Sequence, residues 1–215
     1  MTTHWTIKHY DSVTSTQDIA RQHAATPYTL IQAKAQTAGK GRHGREWVSG
    51  DGNLFFSFII NPNCKPNEYG QIALKTGLAL GKAITQFIIE PVMLKWPNDI
   101  LVNTRKCAGI LIEAEEGALI IGLGINTKTA PPDAHALNIE NNDTLRDAFC
   151  THFDKLMPMK FADVKTDWLA MAHPVGTDMT VKIGTDIRSG QFQGLDENGN
   201  LLLNNQIITA GEIIL

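Results

Sequence analysis

An uninterrupted apolar run, Leu54–Ile60 (LFFSFII), constrains the fold of this chain more than any other feature. A run of this length between turn-type residues is typical of a strand that is buried on both faces. A second apolar stretch, residues 107–126, predicts a hairpin that turns at Glu116–Gly117. We therefore expect a sheet whose central strands are fully covered.

The segments around these strands alternate in their pattern. Strands are predicted in HWTIKHY (residues 4–10), YTLIQAKAQ (28–36), VMLKW (92–96) and ILVN (100–103). Helices are predicted after Ser15, over residues 68–88, and in two pieces of residues 142–172 that Pro158 separates. Ser15 is the predicted N-cap of the first helix, with Asp18 three residues on as in a capping box. This periodicity is compatible with an α/β or an α+β fold.

The pattern changes at His173–Pro174. From Val175 to Leu215 short alternating strands are separated by tight turns, which predicts a small β-barrel. Because 41 residues are at the lower limit for independent folding, we expect this unit to pack against the main body. The chain is thus divided into a domain of residues 1–173 and a second of residues 174–215.

The composition excludes several classes of protein. The net charge of −3 leaves no overall basic field for nucleic acid or an anionic membrane. The three cysteines are odd in number and have no C-x-x-C spacing, which argues against a disulfide framework and a Cys-rich zinc site. The N-terminus has no signal pattern and no apolar run approaches 18 residues, so we expect a soluble cytoplasmic protein that does not enter a membrane.

A basic loop over residues 39–52 is the first candidate for a binding site. It interleaves glycines with cations, in the order Gly39, Lys40, Gly41, Arg42, Gly44 and Arg45. Such a loop can close on one small anion, and Trp47 beyond it can stack on a purine. The loop leads into a strand, so it is neither a Walker A loop nor a dinucleotide fingerprint, both of which need a following helix. Taken alone, it is equally compatible with a solvated turn.

The segment LKWPNDILVNTRK is the second candidate. It places Lys95 and Asp99 near one edge of the sheet and Lys106 at the start of the next apolar strand. A lone lysine in such a position is more often a solvated flank than a functional residue.

Two further segments carry polar residues beside buried elements. In IIGLGINTK, Gly122 and Gly124 mark the close approach of another backbone or a ligand, and Asn126 follows them. In TSTQD, Ser15 and Thr16 lie at a helix N-terminus, where hydroxyls normally cap the helix. Strand packing and capping explain these residues when each segment is considered alone.

The order and spacing of these motifs together resemble those of the biotin protein ligases, the biotin–[acetyl-CoA-carboxylase] ligases. The matching motifs are S-T-Q, Q-x-x-G-K-G-R-x-G-R-x-W, K-W-P-N-D, R-K-x-A-G-I-L-I-E and G-x-G-I-N. The resemblance runs from about residue 5 to the end and includes GLDENGNLLL…AGEI, which is similar to the SH3-like barrel of the family. It implies an α+β fold with a mixed sheet, flanking helices and a small C-terminal SH3-like β-barrel.

The resemblance also implies an activity. Members of the family form biotinyl-5′-AMP from biotin and ATP with Mg²⁺, release pyrophosphate, and transfer biotin to one lysine of a biotin carboxyl carrier domain of a carboxylase. Relatives dimerise through sheet edges, so a homodimer is expected. Relatives that repress transcription carry an N-terminal winged helix, and about a dozen residues precede Ser15 here. We therefore expect no binding to DNA.

The resemblance assigns roles residue by residue. The biotin site is expected to comprise Ser15, Thr16, Gln36, Gly39, Lys40, Lys106, Gly109, Leu111, Gly122 and Gly124. The ATP and adenylate site is expected to comprise Arg42, Arg45, Trp47, Lys106 and Asn126. The expected catalytic residues are Arg42, Lys106 and Asp99. The family commonly has Arg where this chain has Lys40, and the metal ligands are left open.

Three other functions are compatible with parts of the pattern. They are a lipoate- or octanoate-transferring enzyme on a similar scaffold, a biotin-responsive repressor, and a binding module without catalysis. The K-W-P-N-D motif and the form of the basic loop favour biotin over lipoate.

Overall fold

A computed structural model of the protein describes residues 4–214. The first part of the chain contains β1 Thr6–Val13, α1 Thr16–Arg21, β2 Thr29–Gln36, β3 Leu54–Ile60, α2 Tyr69–Ile84, β4 Val92–Lys95, β5 Asp99–Val102, β6 Arg105–Glu115, β7 Ala118–Ile125, α3 Asn142–Leu156 and α4 Phe161–Ala170. The C-terminal part contains β8 Asp178–Ile183, β9 Asp186–Leu195, β10 Leu201–Leu203, β11 Gln206–Ile208 and β12 Glu212–Ile214. Short 3₁₀ helices lie at Arg42–Gly44 and Pro66–Glu68.

The large sheet has seven strands in the order β1-β2-β3-β7-β6-β5-β4. The β1–β2 pair is parallel, with α1 in its crossover, and all other neighbours are antiparallel. Every residue of β3 is buried, as predicted for the apolar run. The mixed sheet with helices confirms the expected α+β class.

The hairpin between β6 and β7 turns at the predicted place. Glu116 and Gly117 both have positive φ, 48° and 85°, which is the backbone of a tight two-residue hairpin turn. The turn fixes the register of the two strands, so that Gly109 pairs with Gly124 and Leu111 with Gly122. Two glycine-containing motifs that are separate in the sequence therefore lie side by side.

Helices cover the two faces of the sheet unequally. On one face α2, α3 and α4 pack over an aromatic cluster in which the Phe58 and Phe153 rings lie 4.9 Å apart. On the other face the short helix α1 covers a small cluster around Ile31, Ile59 and Ile120. Because strand residues alternate between faces, Ser57 and Gly122 project to the α1 side. The area that α1 leaves uncovered is where the site lies.

The C-terminal strands form a second, all-antiparallel sheet in the order β11-β10-β9-β8-β12. Within residues 4–214 no pairing joins β11 to β12, so closure into a barrel is not shown. The two sheets share one hydrophobic core, and the buried Trp96 Nε1 donates to Gly199 O at 3.0 Å. A division after residue 173 stays a prediction, and residues 1–3 and 215 of the two predicted domains lie outside the described residues.

Two expectations from composition can be compared with the structure. No α-helix in the described part of the chain combines the length and the apolar character needed to cross a bilayer. Cys64, Cys107 and Cys150 all lie in the described range and are free, as expected from their number and spacing.

Candidate active site

A cavity of about 240 Å³ opens on the α1 face of the large sheet. The cavity is lined by the start of α1, the basic loop, the β4–β5 turn and Glu212 of β12, and strands β6 and β7 form its floor. It gathers nearly every residue that the sequence singled out: Ser15, Thr16, Gln36, Lys40, Arg42, Arg45, Trp47, Asp99, Lys106, Gly109, Leu111, Gly122, Gly124 and Asn126. Segments from Ser15 to Glu212, nearly the whole length of the chain, thus converge on one site.

Gly39 is the predicted residue that does not line the cavity. Its carbonyl accepts a hydrogen bond from Trp47 N at 2.9 Å, which joins the two arms of the basic loop. A Cβ at this position would lie 2.6 Å from Trp47 O and 2.8 Å from Ser49 Oγ. Gly39 therefore lies outside the lining of the cavity, where its lack of a side chain allows the two arms of the basic loop to approach each other.

The floor of the cavity is formed by glycine backbone. The Trp47 ring lies against Gly109 and Gly124, and a Cβ at Gly124 would overlap the indole. At Gly122 a Cβ would lie 2.5 Å from Gln17 Oε1. The close approach predicted for the strand glycines is thus an approach of the side chains of Trp47 and Gln17.

A buried polar cluster occupies the α1 end of the cavity. Ser15 Oγ accepts from Gln17 N at 3.3 Å, as predicted for an N-cap. Gln36 Oε1 accepts from Thr16 N at 2.8 Å and from Thr16 Oγ1 at 3.1 Å, while its Nε2 donates to Ser49 Oγ. The cluster therefore presents both donors and acceptors to the cavity.

Gln17 and Ser57 belong to this cluster and were not assigned a role from the sequence. They are 2% and 0% exposed. Ser57 Oγ lies 2.8 Å from Thr16 Oγ1 and donates to Gln17 Oε1 at 3.0 Å, and Gln17 Nε2 donates to Ile120 O. The available signal was Ser57 itself, the single polar residue in the apolar run of β3.

Lys40 does not point freely into the cavity. Its Nζ pairs with the Asp18 carboxylate on α1. Asp18 Oδ1 also accepts a hydrogen bond from Arg21 Nη1 at 3.1 Å. Because its carboxylate binds these two cations, Asp18 does not complete the capping box that was predicted with Ser15. The ion pair between Lys40 and Asp18 thereby connects the basic loop to α1.

The two arginines of the loop are held by two other elements. Arg42 Nη1 donates to Asn98 Oδ1 in the β4–β5 turn at 2.7 Å and, more weakly, to Gly211 O at 3.4 Å. Arg45 forms a two-pronged ion pair with Glu212 of β12, at 3.0 Å and 3.2 Å. Burial lowers the pKa of Arg42, and the carboxylates of Asp99 and Glu212 partly oppose this shift. Since a guanidinium titrates far above neutral pH, Arg42 stays charged.

Lys106 and Asp99 form an ion pair in the lining of the cavity. Lys106 Nζ lies 2.6 Å from Asp99 Oδ1 and 5.4 Å from the centroid of the Trp47 ring. Asp99 is the first residue of β5 and is 9% exposed, so the pair is shielded from water on one side. A register shift between Ile100 and Leu101 lies between the pairing positions of the two residues. The site thus contains a cation beside an aromatic ring and a nearly buried carboxylate.

Asn126 lies at the end of the cavity opposite α1. It follows β7, is 2% exposed, and its Oδ1 is buried with no hydrogen-bond partner within residues 4–214. Trp47 Nε1 is buried and unpaired in the same sense. Because buried polar atoms are nearly always hydrogen-bonded in native proteins, these two indicate that a ligand supplies the partners.

The chain offers no preformed multidentate metal site in the described residues. No group of three or more His, Cys, Asp or Glu side chains is placed to hold an ion there. Mg²⁺ usually keeps several waters and binds through one or two carboxylates and substrate phosphates. Asp99 and Glu212 in the cavity fit that kind of site, in which the ion arrives with a nucleotide.

The chain is similar to known proteins in both sequence and fold. The model of the biotin/lipoate A/B protein ligase family matches residues 9–127, more than half of the chain. The biotin–[acetyl-CoA-carboxylase] ligase of Paracoccus denitrificans is 32% identical over 85% of this chain and 88% of its own length. The bifunctional ligase/repressor BirA of Bacillus subtilis is 32% identical over 91% of this chain and 68% of its own.

Solved structures show the same likeness over nearly the whole fold. The biotin protein ligase from Aquifex aeolicus in complex with biotin and ATP superposes with a TM-score of 0.87 at 28% identity. That alignment covers 97% of both chains. The similarity therefore includes the C-terminal sheet as well as the residues matched by the family model.

Proposed function

We infer the function from the premise that the chain belongs to the biotin/lipoate A/B protein ligase family. It is a biotin protein ligase, which activates biotin with ATP to biotinyl-5′-AMP and passes the biotin to a carboxylase. The observation that carries this conclusion is the single cavity, which joins a buried hydrogen-bonding pocket at α1 to a cationic and aromatic end at Lys106 and Trp47. Biotin and the adenylyl group have the matching chemistry.

The α1 end fits the ureido ring of biotin. Ser15, Thr16 and Gln36 supply donors and acceptors for an NH–CO–NH group, and Ser57 lies directly behind them. A buried site built to hydrogen-bond such a group rejects analogues that lack it, since its polar atoms are then left unpaired. The dithiolane ring of lipoate has no hydrogen-bond donors and would leave this cluster unsatisfied. The cluster therefore favours biotin over lipoate.

In the first reaction the carboxylate of biotin attacks the α-phosphorus of ATP. The bond to the bridging oxygen breaks, and pyrophosphate leaves. Two anions must meet, so the site has to offset their repulsion and the charge that builds during transfer. Lys106 and Arg42 both line the cavity, which supports their assignment to this task. Mg²⁺, when bound, supplies further neutralisation of the phosphates.

Ligand binding requires the cations of the site to change partners. In the structure Lys106 is paired with Asp99, and Arg45 with Glu212. Phosphate oxygens compete with these carboxylates for the same groups, because the guanidinium fork fits either anion. The basic loop then acts as a lid that closes over the adenylate and excludes water.

In the second reaction the amine of the acceptor lysine attacks the carbonyl carbon of the mixed anhydride, and AMP leaves. The lysine has to be neutral to attack. Asp99 becomes available to orient it and accept its proton once Lys106 has turned to the phosphate. The acceptor is proposed to be a biotin carboxyl carrier domain of a carboxylase.

Three expectations from the sequence stay predictions. A homodimer would use an edge of the large sheet. The edge strands are β1 and β4, and Leu94 of β4 already bonds to Met171 O. A cytoplasmic location and the lack of DNA binding also stay predictions.

Biotin-dependent exchange of pyrophosphate into ATP tests the first reaction, with biotin-free enzyme and with lipoate as the control acid. We expect exchange with biotin and none with lipoate. A mass gain of one biotin on an added carrier domain then tests the transfer. Exchange with lipoate alone would assign the chain to the lipoate-transferring branch, and no exchange with either acid would favour a binding module.

A further inference from the structure

Asn53, just before β3, is nearly buried and makes contacts that the reaction described above does not use. It is 3% exposed although it lies in a loop. We propose that Asn53 is a positioning residue that fixes the nucleotide end of the site. This inference rests on the proposed function, because it concerns the binding of ATP by a biotin protein ligase.

The side chain of Asn53 bonds to the backbone of a distant segment. Its Oδ1 accepts from Lys128 N at 2.9 Å and from Thr129 N at 3.0 Å. Its Nδ2 donates to Thr129 O at 2.8 Å. One amide thus satisfies three backbone groups some 75 residues away in the chain.

The turn that holds Asn53 is shaped to the same segment. Thr127 Oγ1 donates to Gly52 O at 3.1 Å. A Cβ at Gly50 would overlap Thr129 Oγ1, and Gly52 has a φ of 77°, which favours glycine. The turn of residues 50–53 and the segment of residues 127–129 therefore form one unit, which we name the Asn53 clip.

The Asn53 clip joins two segments that both reach the cavity. Asn126, with its unpaired Oδ1, directly precedes residues 127–129. Trp47, with its unpaired Nε1, lies three residues before the turn on the arm of the basic loop. The clip consequently sets the distance between Trp47 Nε1 and Asn126 Oδ1, the two unpaired polar atoms that are proposed to bind the nucleotide. At the biotin end Ser15 and Thr16 are held by α1 and the hydroxyl of Ser57, while Gln36 Nε2 donates to Ser49 Oγ just before the turn, so the effect of the clip is expected to be smaller there.

The structure offers a matched control for substitution of Asn53. Asn142 Nδ2 also bonds to the same turn, donating to Gly52 O at 3.0 Å. It comes from the start of α3, however, and its one side-chain hydrogen bond within residues 4–214 is to Gly52 rather than to residues 127–129. Loss of Asn142 therefore removes an amide from the turn without opening the connection between Trp47 and Asn126.

The test compares Asn53→Ala, Asn53→Asp and Asn142→Ala in the full chain. Steady-state pyrophosphate exchange gives KM for ATP and for biotin, and calorimetry gives the dissociation constant of each ligand in the absence of the other. We expect Asn53→Ala to raise KM and Kd for ATP about tenfold, because displacement of a positioned group by even ~1 Å is costly. Values for biotin should change less than twofold. Asn142→Ala should resemble wild type.

Asn53→Asp is nearly isosteric and keeps the two acceptor bonds, so it carries the test if the alanine variant fails to fold. It should show an intermediate loss of ATP affinity. Equal weakening of biotin and ATP, or an unchanged ATP affinity in a folded Asn53 variant, would overturn the positioning role. Failure of the proposed function would appear differently, as absence of biotin-dependent exchange in the wild-type protein, while calorimetry with ATP would still report on the Asn53 clip.

Discussion

Lys106 Nζ lies 2.6 Å from Asp99 Oδ1, so the cation proposed to act on the phosphate is paired with the carboxylate proposed to meet the acceptor lysine. In this ion pair each group neutralises the other. Adenylate formation has to draw Lys106 away, and this leaves Asp99 free for the second reaction. The pair therefore gives a physical order to two reactions in one cavity.

Substitution Lys106→Ala should slow adenylate formation by about 10²–10³, the usual cost of removing one stabiliser of developing charge. Single-turnover formation of biotinyl-AMP measures the effect. The control is Asp99→Asn, which should form adenylate but transfer biotin more slowly. An unchanged rate in a folded Lys106→Ala protein would remove Lys106 from the catalytic residues.

Two glycines on β7 should separate the ends of the site. A methyl group at Gly122 meets Gln17 Oε1 in the polar cluster, whereas one at Gly124 meets the Trp47 ring. The resemblance assigned Gly124 to the biotin site, but its contact with Trp47 relates it to the ATP end. We therefore expect Gly122→Ala to weaken biotin binding and Gly124→Ala to weaken ATP binding, each at least tenfold, since the neighbours are closely packed. Calorimetry with each ligand measures this. Identical profiles for the two variants would contradict the division.

Arg42→Gly should make the adenylate leak. Arg42 ties the loop to Asn98 and lines the cavity, so its loss removes a charge and loosens the lid. Synthesis should slow but continue, because Lys106 remains. The measurement is biotin labelling of an unrelated protein per adenylate formed, relative to wild type. If the variant forms adenylate and labels bystanders no more than wild type, the proposed lid role of Arg42 is wrong.

The ion pair between Arg45 and Glu212 should make the free energy of unfolding depend on pH in the acidic range. Burial alone would raise the pKa of Glu212, but the hydrogen bond from Arg45 and the charges of Arg45, Lys95 and Lys106 outweigh it and lower the pKa below 4.5. A depressed pKa stabilises the folded state above about pH 4.5, and this contribution is lost as pH falls through the folded-state value.

Glu212→Gln should therefore unfold at a lower urea concentration than wild type at pH 6, and the difference should shrink below pH 4.5. Urea titrations between pH 3.5 and pH 6 measure this. Glu140→Gln is a suitable control, because Glu140 forms an ion pair with Lys128 away from β12. A constant difference across the pH range would exclude the proposed linkage.

Deletion from Val175 should abolish solubility as well as activity. The C-terminal sheet adds to the shared core eight buried residues: Met179, Val181, Phe192, Leu195, Leu201, Leu203, Ile208 and Ile213. Without them the main body would expose a large apolar surface. Expression of residues 1–174 with measurement of the soluble fraction tests this. A soluble, fully active fragment would show that the C-terminal sheet is dispensable.

The sequence predicted elements whose cause is local. The apolar run of β3, the Glu116–Gly117 turn and the separation of α3 from α4 at Pro158 all follow from side-chain type and short-range geometry, and all are confirmed. The joint motif pattern also predicted the set of residues around the cavity. This prediction depends on the order of the motifs, because each one alone has an ordinary structural explanation.

What sequence reasoning missed depends on long-range packing. Gln17 is buried because Gly122, more than a hundred residues later, leaves room for it. Glu212 reaches the cavity only because the second sheet packs against the first. The bond between Gly39 O and Trp47 N joins the two arms of the loop, and the expected contact of Gly39 with biotin stays a prediction. Such long-range contacts cannot be predicted from the spacing of motifs or from hydrophobic periodicity.

The contact between Trp96 and Gly199 has a consequence for protein synthesis. The two residues are separated by 103 positions, and the indole of Trp96 stays unpaired until Gly199 has left the ribosome. At about 5–20 residues per second, this takes roughly 5–20 s. During that interval the nascent chain carries an incomplete apolar surface, so chaperones have their main opportunity to bind before the second sheet arrives.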